Sequence, residues 1–186
     1  LLTSFSGGNG CCYVITLVEM SQPPRVVARI DTNNGMGADQ LDSGEVILAL
    51  QDLSFDGWRA PRAASPRPGI WYRLKDHRLE VALDVMLAAP PPLDEVNRPA
   101  RAEFIRSIST TDPAALNADL WSPMLDMIYS GREQECWAFF DECWPDSAPG
   151  KAEFKAEFVK TLESGPRWKD FAAALAAIGA DGVGAP

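Results

Sequence analysis

The sequence predicts an α+β protein, with an N-terminal antiparallel β-sheet or small sandwich followed by a C-terminal bundle of short helices. Three observations carry this. From Cys11 to about Leu87, Val, Ile and aromatic residues come in short runs separated by Gly, Pro and Asn clusters. After Ala89-Pro90-Pro91-Pro92 the apolar residues recur at helical spacing. A chain of 186 residues is long enough to bury an adequate core as one domain or two small ones. The predicted organisation is an antiparallel β unit over 1–89, a Pro-rich connection over 90–99, a helical unit over 100–180 and a flexible tail over 181–186.

The β elements follow in order. Tyr13 to Val18 and Arg25 to Ile30 are strands joined by a turn holding Pro23 and Pro24. Glu45 to Leu50 alternates, which places Val46, Leu48 and Leu50 on one face. A hairpin joins Ile70–Leu74 to Leu79–Val85 through Asp76-His77, with Ile70, Tyr72 and Leu74 facing Leu79, Val81 and Leu83.

In the second half, Phe104, Ile105 and Ile108 have helical spacing. Ser122-Pro123 reads as a cap and first helical residue, with Met124, Leu125 and Ile128 continuing that helix to Gly131. Trp137, Phe140 and Trp144 lie on a helix stopped by Pro145. Phe154, Phe158 and Leu162 repeat every fourth residue up to Gly165-Pro166, and a last helix shows Phe171, Leu175 and Ile178.

A net charge of −9 argues against nucleic acid and anionic lipid as partners, because both need clustered Lys and Arg. No run approaches the roughly 20 apolar residues of a membrane-spanning helix. Opening on Leu1 without a basic start or apolar core, the sequence fits a chain whose leader has been removed or a piece of a longer one.

The cysteines form two pairs, Cys11-Cys12 near the start and Cys136 with Cys143 in a tryptophan-rich stretch. On one helix the latter two are separated by roughly 10 Å of rise and cannot bond each other. A bridge between adjacent cysteines is strained, so the connectivities joining the N-terminal pair to the C-terminal pair are favoured. Such a bridge closes most of the chain into one loop, worth about 4 to 5 kcal/mol in the chain-entropy view. It predicts an oxidising compartment, periplasmic or extracellular. The competing expectation is four buried thiols, since Cys136 and Cys143 share the apolar face of Phe139 and Phe140.

Among binding motifs, Asp31, Asn33 and Asp39 around Gly35 and Gly37 form a candidate calcium loop, because calcium takes hard oxygens from a flexible turn. The match to an EF-type loop is partial, and an ordinary Asn-Gly connection accounts for the same residues. Trp58, Trp137 and Trp144 are candidate interface residues, Trp58 through a tight turn and the others through an aromatic cluster too dense for one helical face. Arg59, Arg62 and Arg67 form a local basic loop suited to carboxylates. His77 is the single histidine, and a Cys11–His77 nucleophilic pair requires the hairpin turn to fold over the N-terminus. The doublets Asp94-Glu95 and Asp141-Glu142 are adjacent in sequence, whereas paired-carboxylate catalysis needs groups converging from different elements.

The function expected from these features is an exported, non-enzymatic binding or assembly subunit in a larger membrane-associated or extracellular complex. It acts with a protein partner or a second copy of itself and needs no cofactor. One alternative is a calcium-dependent carbohydrate- or surface-binding module. A second is a small hydrolase using carboxylates or Cys11 with His77.

Overall fold

The structure, a computed structural model, describes residues 2–5, 13–32, 37–111 and 118–181. It has the α+β arrangement: antiparallel strands come first and helices follow. The chain divides into two compact units, one made of Leu1–Gln51 with Gly69–Leu83 and the other of Asp52–Pro68 with Asp84–Pro186. The division expected near Ala89 therefore falls earlier, and residues 52–68 leave the β region to join the helices.

The first unit holds two antiparallel sheets. One has the order β1 (Leu2–Phe5), β2 (Tyr13–Glu19), β3 (Arg25–Thr32). The other has the order β4 (Gly37–Gln40), β5 (Val46–Gln51), β6 (Gly69–Lys75), β7 (Arg78–Val81). Ile15 faces Ile30 across β2 and β3, and both are buried. The β6–β7 hairpin has the expected register, with Tyr72 opposite Val81 and Leu74 opposite Leu79. Its two-residue turn puts Asp76 and His77 at φ of 45° and 62°, the left-handed pair whose twist matches the flanking strands.

Two strand expectations are corrected. β5 is a central strand buried on both faces, with Ile47 2% exposed beside Leu48 at 6%, while Val46 is 54% exposed. Val46 opens the strand opposite Gln40 of β4, whose residues are all exposed, so that end of the ladder lies open among the described residues. Leu83 does not extend β7. It begins α1 (Leu83–Leu87), where Leu83 and Met86 are buried at helical rather than alternating spacing.

The second unit contains α2 (Asn97–Thr111), α3 (Ala118–Tyr129), α4 (Glu133–Cys143), α5 (Lys151–Ser164) and α6 (Pro166–Asp181). α4 packs against α2 and α3, and α5 packs against α6. Ser122-Pro123 does not start α3; Pro123 lies in its interior. The stop at Gly131 is a Schellman closure: Arg132 N–H donates to the Met127 carbonyl at 2.8 Å and Gly131 N–H to that of Ile128 at 3.0 Å. Gly131 has φ +74°, as that geometry requires.

α5 buries Phe154, Phe158 and Leu162, the expected every-fourth-residue stripe. In α2 the inward positions belong to Ala102 and Ile105, so Phe104 turns outward and is 52% exposed. In α6 Phe171 is buried, whereas Leu175 and Ile178 are exposed.

Candidate functional site

Residues 52–68 are built around two buried carboxylates. The backbone closes at the neck, where Asp52 N–H donates to the Pro68 carbonyl at 2.9 Å. The Asp52 carboxylate is buried and accepts from Ser54 N–H at 3.0 Å, Ser54 Oγ at 2.5 Å and Tyr129 Oη at 2.5 Å. A charged group out of water is tolerated when its lone pairs are satisfied, and these three donors do that. Tyr129 is held edge-on to Phe171 and Trp168, with ring centroids 5.3 and 5.9 Å away, which orients its hydroxyl toward the carboxylate. α5 ends beside this cluster because Gly165 has no side chain: a Cβ there would lie 2.1 Å from Ser54 Oγ.

Asp56 is the second carboxylate. Arg62 and Arg67 each reach it at 2.7 Å. Burial pushes the Asp56 pKa up, but the hydrogen bonds and charges of Arg67 and Arg62 outweigh that and hold it below the usual value. Arg59 pairs with Glu157 at 2.7 Å and lies 5.4 Å over the Trp58 ring and 5.3 Å over that of Phe154. The three arginines of the basic loop therefore have carboxylate partners within their own unit.

The same segment feeds one aromatic cluster. Phe55 is buried, and half-buried Trp58 meets Trp121 and Phe154 with ring centroids 5.2 Å apart in both pairs. Trp144, expected at an interface, is 1% exposed and packs on Phe154 at 5.1 Å, so its place is the interior. Trp137 is half-buried, donates from Nε1 to Glu133 at 3.1 Å and carries Lys155 Nζ 4.3 Å from its ring centroid.

The remaining candidates are dispersed. Cys136 and Cys143 are fully buried on the unbroken α4, and burial, reinforced by Glu133 and Glu142 respectively, pushes each thiol up to about 12. Cys11 and Cys12 lie outside the described residues. His77 Nδ1 is 2.8 Å from a Glu19 carboxylate oxygen in the first unit. Asp31 lies on β3 and Asp39 on β4, where Asp39 Oδ1 accepts from Gln40 N–H at 2.8 Å; Asn33 lies outside the described residues. Among the described residues no three His, Cys, Asp or Glu side chains converge as a metal site. Asp94 caps α2 through Asn97 N–H at 2.6 Å, Glu142 accepts from Arg98 at 2.9 Å, and Asp141 pairs with Lys151 at 2.9 Å.

A shallow groove of about 450 Å³ runs between α2 and α4, with Pro99 and Ala102 in its lining and the Arg98–Glu142 pair at its side. Beside it, α2 carries outward-facing apolar residues. Ala100 and Phe104, four residues apart on the side of α2 away from buried Ala102 and Ile105, are exposed, as is Val96 in the turn just before the helix. Of Phe104, Ile105 and Ile108, read in the sequence as one helical stripe, Ile105 turns inward and Phe104 outward. Compared with known protein families, curated proteins and solved structures, the chain matches none.

Proposed function

We propose that this chain is an exported, non-enzymatic binding or assembly subunit, working in the periplasm or outside the cell as part of a larger complex, and that a protein partner seats on the outward ridge of α2. The observation that carries the reading is the exposure of Phe104, at 52%, on the side of α2 opposite its buried residues, together with that of Val96, at 83%, in the turn that leads into the helix. Covering such side chains is worth about 1.5 to 3 kcal/mol each, and an aromatic residue is a common anchor of protein interfaces. Glu103, exposed next to Phe104, is paired with Arg106 of the same helix. The carboxylates and arginines of 52–68 support the same reading, since they are engaged in holding that segment. The compartment rests on the four cysteines alone.

The test uses native material isolated without reductant, as the unaltered chain and as Phe104→Glu. The unaltered chain is expected to retain a partner or to self-associate, and Phe104→Glu to weaken that association at least about tenfold, or 1.4 kcal/mol, with an unchanged unfolding midpoint. A monodisperse monomer that retains nothing overturns the reading. For the compartment, a bridge from Cys11 or Cys12 to Cys136 or Cys143 in exported material is expected, and four thiols in cytosolic material overturn that part.

A further inference from the structure

We draw no further inference here: the strongest candidate, the exposed outer half of α6 around Leu175 and Ile178, prolongs the stripe of buried Phe171, and nothing in the structure shows what covers it.

Discussion

Arg101 donates through Nη2 to the main-chain carbonyl of Asp119 at 3.3 Å, four residues before Pro123, which has no N–H to offer it. In an α-helix the carbonyl of residue 119 is served by the N–H of residue 123, which proline lacks. The same guanidinium nitrogen also donates to the Asp119 carboxylate at 2.8 Å, so one side chain of α2 repairs and anchors the first turns of α3.

The repair predicts coupling between two residues in different helices. Arg101→Met is expected to cost about 1 to 2 kcal/mol, the worth of a charged hydrogen bond partly exposed to water. Pro123→Ala returns the missing N–H, so the cost of Arg101→Met in that background falls by about 0.5 to 1 kcal/mol. Urea unfolding of the four members of the cycle measures this, and strict additivity refutes it.

Tyr129 and Asp52 are 77 positions apart and joined at 2.5 Å, which makes the phenol the far anchor of the 52–68 segment. Tyr129→Phe removes the donor while keeping the ring that packs on Phe171. Among the described residues the Asp52 carboxylate then keeps its two bonds from Ser54, and the loss expected is about 1.5 to 3 kcal/mol. Proteolysis under native conditions should also shift toward sites within 52–68. An unchanged unfolding midpoint with an unchanged cleavage pattern contradicts this role.

These long-range contacts also mark where sequence reasoning stopped. The β6–β7 hairpin was legible because its determinants are local: alternating apolar residues on both arms and a two-residue turn fix the pairing of Leu74 with Leu79. The stripe of Phe154, Phe158 and Leu162 was legible for the same reason. β4 was not, since Gly37–Gln40 has no apolar alternation and pairs through its backbone with β5. The placement of 52–68 among the helices depends on Tyr129, Glu157 and Phe154, none of which is near it in sequence. The start of α3 was misplaced because Pro123 is a common first residue of a helix, and the compensation by Arg101 lies on another element. Of the candidate site, the helical spacing of Phe104, Ile105 and Ile108 was readable, but not which of them turns outward, since adjacent apolar positions leave the choice to packing.

Gly131 is favoured by its backbone conformation and, to a lesser degree, by a close neighbour. Its φ of +74° disfavours any side chain, and a Cβ there would lie 2.5 Å from Leu87 Cδ2. Gly131→Ala is expected to cost about 1 to 2 kcal/mol from the backbone conformation, with the clash in addition. In a Leu87→Ala background the clash disappears and the backbone cost remains, so Gly131→Ala costs less there than in the parent. An equal cost in both backgrounds overturns the assignment of the clash.

In the fully reduced chain, where Cys136 and Cys143 are both free, the thiols of α4 predict both a reactivity and a pH dependence. Cys136 and Cys143 hold their protons up to about 12 in the folded chain, against an ordinary value of 9.0, chiefly because burial penalises the thiolate. A thiolate is the nucleophile toward alkylating reagents, so neither residue should react in the native state near pH 8, and both should react in denaturant. The folded values are raised, so the associated stability is fully present below about pH 9 and is lost as pH rises toward 12. In that window the unfolded chain has released protons that the folded chain keeps, which favours unfolding. Replacing both cysteines by alanine is expected to lower stability at neutral pH through lost packing and to flatten its decline above pH 9. Urea midpoints at pH 8 and pH 10.5, compared between the parent and the double variant, measure the slope directly, and parallel declines contradict the contribution of these thiols.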